Sequence, residues 1–252
     1  MSARDITICK AIADGLGIAL KRHLYFAGER GEIRPEYLST VSIAEQLLPP
    51  PSAGEIPFNE TGHRLYFEQP TDKVLNYLTH LRDRPGNAFS MRESWLKQPD
   101  ATKKTSRRPR LKDFRRGLID IVYQSQLGGQ GGTTDALSIH CIEVKNINPT
   151  TGGIKADLKR LYDIVAHGDG IPRASVTGWL ALLTTDKSKA DKAILAARIL
   201  DRENQLHLDC PSAFWYGPFS TDRDCEDAGP SVYVGVVRIG KALSPGCQLG
   251  GG

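Results

Sequence analysis

The sequence predicts an α/β protein, a mixed central β-sheet flanked by helices. Three observations predict it. Two β-branched, apolar runs, RGLIDIVYQSQ (116–126) and ALSIHCIEVKNI (136–147), are joined by LGGQGGTTD, whose four glycines suit a flexible turn, so the pair reads as a β-hairpin. A later run, VTGWLALLTT (176–185), is apolar nearly throughout, as expected of a strand covered by helices. Segments with apolar residues at helical spacing alternate with these runs, which is the pattern of a sheet with helices packed on it.

The elements follow in order. Ile8, Ile12, Leu16 and Leu20 predict a helix over about residues 4–22, although Gly15 and Gly17 count against it. A second helix begins at Pro35, which suits a first helical position, and carries Tyr37, Val41, Ala44 and Leu48 on one stripe before PPP (49–51) stops it. Residues 52–70 read as irregular. TDKVLNYLTHLRD (71–83) predicts a helix with Val74, Leu78 and Leu81 on one side, and 84–110 is a polar, basic surface loop or an arm that orders on a partner. After the hairpin, KADLKRLYDIVA (155–166) predicts a helix burying Leu158, Leu161, Tyr162 and Val165. The strand at 176–185 precedes a helix in KSKADKAILAARIL (187–200) with Ala190, Ile194 and Ala197 inward, and SVYVGVVRIG (231–240) is the final strand. No repeat is evident. The expectation is one elaborated domain over 1–252, with a core at about 30–185, an N-terminal helical part (1–30) and a strand-containing C-terminal extension (186–252).

Composition narrows the function classes. With 252 residues, 40% hydrophobic and 25% charged, the chain has an ordinary globular profile. No apolar run approaches the roughly 18 residues of a membrane span, and MSARDITICK lacks the apolar core of a signal peptide, so a cytoplasmic protein without a membrane partner is expected. Cys9, Cys141, Cys210, Cys225 and Cys247 are scattered without a CxxC pair, which argues for reduced thiols. The six histidines show no HExxH or HxxxH spacing, and GGQGGTT lacks the GK[ST] of a phosphate loop. Formal charge is only +4, yet it is concentrated. Between 103 and 116 lie Lys103, Lys104, Arg107, Arg108, Arg110, Lys112, Arg115 and Arg116 against one acid, Asp113. A run of that kind, just before the first hairpin strand, suits contact with nucleic-acid phosphates; a solubilising loop is the plainer alternative.

The sharpest feature is IHCIEVKNI (139–147). Alternation along a strand puts Glu143 and Lys145 on one face and Ile142 and Val144 on the other. On the partner run Asp120 is a lone acid within LIDIV, where both β propensity and burial disfavour aspartate. A turn within the glycine-rich link brings residues 120 and 143 within about three positions of opposition. Two carboxylates in a partly buried site repel unless a cation bridges them, and magnesium prefers such hard oxygen ligands. A lysine beside them orients or helps deprotonate the attacking water and offsets charge on a phosphate. The plain alternatives are an ion pair on a solvated strand for Glu143 and Lys145, and a strand-end acid bonded to nearby amides for Asp120.

Asp120, then Glu143-Val144-Lys145 after a hairpin turn, then an amphipathic helix, resembles the PD-(D/E)xK nuclease superfamily over roughly residues 30–185. Ile119 stands where the motif's proline would be. The resemblance implies a restriction-endonuclease-like fold, with Asp120 and Glu143 as metal ligands, Lys145 as the water-activating residue and Glu36 as the acid a preceding helix often adds. Glu36 also suits the first turn of any helix, and Glu45 and Glu32 are its nearest alternatives. The implied activity is a magnesium-dependent endonuclease, with manganese able to substitute, acting on DNA in restriction or anti-phage defence, alone as a homodimer or with a partner protein of a defence system. A repair or recombination nuclease, or a nuclease-like module that binds or assembles without cutting, is the alternative. Lys155, Lys159 and Arg160 on the following helix are candidate phosphate contacts or simply its polar face, and Trp215, Tyr216 and Phe219 read as core packing rather than a base-stacking platform.

Overall fold

The computed structural model describes residues 3–27, 35–48, 63–83, 117–127, 136–145, 148–172, 174–186, 188–204, 212–219 and 232–240. In chain order the elements are α1 (Ala3–Ala27), α2 (Pro35–Leu47), β1 (His63–Pro70), α3 (Thr71–Asp83), β2 (Leu118–Leu127), β3 (Ala136–Lys145), α4 (Thr151–Gly168), β4 (Ala174–Thr184), α5 (Ser188–Asn204), β5 (Ser212–Phe219) and β6 (Val232–Ile239). The strands form one mixed six-stranded sheet in the order β1-β2-β3-β4-β6-β5. β3 and β4 are parallel, and every other neighbouring pair is antiparallel. That single parallel pair requires a crossover, which α4 supplies.

The period of two sorts side chains to the two faces. Ile139 and Cys141 of β3 join Leu180 and Leu182 of β4 under α3, α4 and α5. Ile142 and Val144 join Trp179, Ala181 and Leu183 under α1 and α2. Central strands buried on both sides cannot alternate apolar with polar, so they read as continuous apolar runs. The predicted hairpin, the strands near 176–185 and 231–240 and the helix at 71–83 are all present. Of the five cysteines, Cys9 and Cys141 are free and buried, while the other three fall outside the described residues. No helix among the described residues is long and apolar enough to cross a membrane.

Four sequence expectations are corrected. α1 runs well past the expected end at 22, because Gly15 is a contact point rather than a breaker: a Cβ there would stand 2.5 Å from Ile43 Cα, so glycine lets α1 and α2 cross backbone to backbone. For the same reason the buried face of α2 is centred on Ile43, and of the expected stripe through Tyr37, Val41, Ala44 and Leu48 only Ala44 is buried. Tyr37 is 66% exposed, and the buried residues are Ser39, Thr40, Ser42, Ile43, Ala44 and Leu47, a set rich in small side chains. Third, residues 63–70 of the segment read as irregular form the edge strand β1; its burial follows no alternation, which hid it from the pattern. Fourth, Trp215, Tyr216 and Phe219 lie on a strand, β5, that pattern reading missed. Tyr216 and Phe219 do pack against the α1 cluster. On α5 the described inward residues are Ala193 and Ala196, whereas the side chains of Ala190, Ile194 and Ala197 lie outside what is described.

One buried group ties stability to pH. His140 is 2% exposed, and its Nδ1 accepts a hydrogen bond from Trp179 Nε1 at 3.2 Å. Trp N–H only donates, so this contact requires an unprotonated Nδ1. Burial, followed by the charges of Arg4 and Arg238, pushes the imidazole down to about 3. A histidine with a depressed pKa in the folded state takes its proton in the unfolded chain first, at about pH 6.5. Its contribution is therefore intact above pH 6.5 and is lost as pH falls from there towards 3, by at most about 1.4 kcal/mol per pH unit. Urea midpoints measured at several pH values in that range should fall less steeply for His140→Gln, which keeps an acceptor for Trp179, than for the unaltered chain. Equal slopes would refute the assignment.

Candidate functional site

The site lies where β2 and β3 part. Their antiparallel ladder runs to the pair Ile121 and Ile142, so the next step of that register would set Asp120 opposite Glu143. β2 continues against β1 as far as Leu118, while β3 continues against β4 as far as Lys145. Asp120 sits in the fork. On the β1 side, the ladder pairs Ile119 and Ile121 with Gln69 and Phe67 but skips Asp120, and the skipped partner Glu68 has φ of 48°, a backbone state costly for a residue with a side chain. On the β3 side, Asp120 Oδ2 accepts the Val144 N–H at 2.6 Å, taking the role the missing ladder carbonyl would have had.

Two further elements close on this fork. α4 starts from a Thr150 cap, whose side chain accepts the Gly153 N–H, and the turn before it is held by Asn148, which accepts hydrogen bonds from the hydroxyls of Thr184 and Thr185. The helix presents Asp157 and Arg160, one turn apart, to Lys145 and Glu143 of β3. Arg160 Nε donates to Glu143 Oε1 at 2.9 Å, and the same guanidinium bonds Asp157 Oδ1. Lys145 Nζ lies 2.9 Å from Asp157 Oδ2 and 3.6 Å from Glu36 Oε1, the latter brought by the first turn of α2. Four carboxylates thus surround two cations.

Burial makes that arrangement electrostatically costly. Glu143 is 1% exposed and Asp157 3%. Burial pushes the Glu143 carboxyl up to about 8, against the hydrogen bond from Arg160 that favours the ion, with the charges of Asp120 and Asp157 adding to the rise. Burial also raises Asp120, partly offset by the Val144 amide and by Lys145. For Lys145, burial disfavours the charge, but Asp157 and then Glu36 and Glu143 more than reverse it, so the ammonium is held more firmly than in water. A lysine held in that way donates and orients rather than accepting a proton.

The predicted site residues fare differently. Asp120, Glu143 and Lys145 are brought together, and Glu36 reaches the group through Lys145. Glu45 does not join it, pairing instead with Arg22 at 3.0 Å, and Glu32 lies outside the described residues. Lys155 and Lys159 are exposed on α4, whereas Arg160 is committed to Glu143 and Asp157. The basic run, Lys103 to Arg116, lies outside the described residues. Sequence reading missed Asp157. Its signal was available, because position 157 falls on the same buried stripe of α4 as Ile154, Leu158 and Leu161, where an acid is out of place.

The donor set is entirely carboxylate oxygen, which chemically suits magnesium or manganese. As the side chains stand, however, no group of three or more His, Cys, Asp or Glu among the described residues is arranged to hold a metal ion. The acids are turned to Arg160 and Lys145 instead. The chain matches no protein-family model, no curated protein and no solved structure.

Proposed function

We propose that this chain is a metal-dependent endonuclease of the PD-(D/E)xK type, hydrolysing phosphodiester bonds of DNA. The observation that carries the reading is the fork: Asp120 at the parting of β2 and β3, bonded to the amide of Val144, the residue between Glu143 and Lys145. Support comes also from topology. A helix bearing Glu36, three antiparallel strands, a crossover helix and a strand parallel to the third come in the order a restriction-endonuclease-like fold would have, with α3 as an added helix between the first and second of those strands.

In this reading Asp120 and Glu143, with Asp157 next to them, would hold a magnesium or manganese ion, which supplies charge neutralisation at the attacked phosphate. Lys145 keeps its proton, and so orients the attacking water and offsets the charge that builds on the phosphate oxygens. Glu36 and Asp157 keep the ammonium in position from two elements. Asp120 and Lys145 are only partly buried, so the water and the phosphate would approach from their side of the fork.

The deciding experiment is incubation of the purified chain with plasmid and linear DNA. Cutting is expected with magnesium or manganese and none with a chelator. DNA binding without cutting under any divalent ion would overturn the enzymatic reading in favour of a nuclease-like binding module. Restriction or anti-phage defence is the setting proposed, with repair or recombination as the other. The basic run should act as a phosphate-contacting arm: replacing Arg107, Arg108 and Arg110 together is expected to weaken DNA binding and lower the slope of log K against log salt by roughly 2 to 3. An unchanged slope would return the run to a solubilising role.

A further inference from the structure

The site's acids have a partner that the nuclease reading does not use. We propose that Arg160 is an internal cation latch: its guanidinium stands between Glu143 and Asp157 in place of a divalent ion and must leave before that ion enters. This inference rests on the nuclease reading. It accounts for the finding that carboxylates chemically suited to a metal are nevertheless not grouped to hold one.

The geometry is specific. One guanidinium spans two nearly inaccessible carboxylates from different elements, Glu143 of β3 and Asp157 of α4. Asp157 turns its other oxygen to Lys145 at 2.9 Å, so the acids are compensated in the metal-free chain. Without such compensation, burying these carboxylates as ions would be strongly unfavourable. Space for the latch is also provided. At Gly117, just before β2, a Cβ would stand 2.6 Å from Arg160 Nη1. That backbone is pinned, because the Gly117 carbonyl accepts hydrogen bonds from both the amide and the hydroxyl of Thr71, at 3.0 and 2.8 Å. Any side chain at 117 therefore pushes the guanidinium rather than retreating from it.

Release has a destination. The planar fork that binds two carboxylate oxygens also fits a phosphodiester, and Arg160 is on the helix flanking the open end of the site. Exchange of Arg160 for the ion would thus free a phosphate-binding group where the substrate arrives, so that metal entry and DNA binding reinforce each other.

Manganese binding without DNA tests the latch. Calorimetric titration and thermal unfolding would be run on the unaltered chain, Arg160→Gln and Gly117→Ala. With the competitor removed, Arg160→Gln should unfold at a lower temperature without metal, bind manganese roughly tenfold more tightly, and gain more in unfolding temperature from it. Gly117→Ala keeps every charge but displaces the guanidinium, and should also tighten binding; it decides the matter if Arg160→Gln does not fold. Manganese binding by the unaltered chain that neither variant tightens would overturn the latch and leave the nuclease reading standing. Absence of manganese binding by all three would overturn both.

Discussion

Asp120→Asn is expected to abolish DNA cleavage, lowering the rate by on the order of 10³-fold or more, while the folded chain and its DNA binding persist. The substitution is nearly isosteric and leaves an oxygen to accept the Val144 N–H, so the fork between β2 and β3 survives. What disappears is one negative charge at a partly buried position whose charge acts on Glu143. Lys145→Met should abolish cleavage to a similar degree, for a different reason: the apolar stem is kept, but the ammonium that Asp157 and Glu36 hold in place is gone. This second variant also leaves Asp157 with Arg160 as its cation, and a cost of up to about 3 kcal/mol in stability is expected alongside. Rates measured with magnesium, and fraction bound by gel shift, separate the two effects. Undiminished cleavage by either variant would remove these residues from the active centre.

The same residues show how far the sequence could be read. Asp120, Glu143 and Lys145 were legible because each breaks a rule of its setting: charges inside apolar strands are unfavourable enough that a strand's period of two can be used to say which of them share a face. The central strands were legible for a related reason, since burial on both faces leaves a continuous apolar run. The edges were not. Among the described residues β1 and β5 pair on one side only, and their burial is set by what covers each residue, so no period shows in the described burial of HRLYFEQP or SAFWYGPF. Gly15 illustrates a different limit. In sequence it is a weak helix former, and only the approach of Ile43 reveals that the missing side chain is what permits α1 and α2 to cross. Asp157 was visible as an acid on an apolar stripe, but what it meets, Lys145 and Arg160, depends on the angle at which α4 crosses the sheet. No local pattern encodes that angle.

Trp179→Ala should be the most damaging single change to the fold, with a loss of about 3–5 kcal/mol. Trp179 is fully buried on β4, opposite Ile142 of β3, and packs in the cluster under α1 and α2. Truncation opens a cavity the surrounding strands cannot close without breaking their ladders, and it strands His140 Nδ1 without its donor. Against a typical domain stability of about 5–15 kcal/mol, a loss of that size brings the urea midpoint down sharply. Yet Trp179 projects to the α1 face, whereas Glu143 bonds to α4 on the other. Cleavage normalised to the folded fraction should therefore be unaltered in Trp179→Ala. Asp120→Asn predicts the reverse, a normal midpoint with no cleavage. Only a site distinct from the core can give both results together; a Trp179→Ala chain that is folded but catalytically dead would mean that the fork is held in shape by the far face of the sheet.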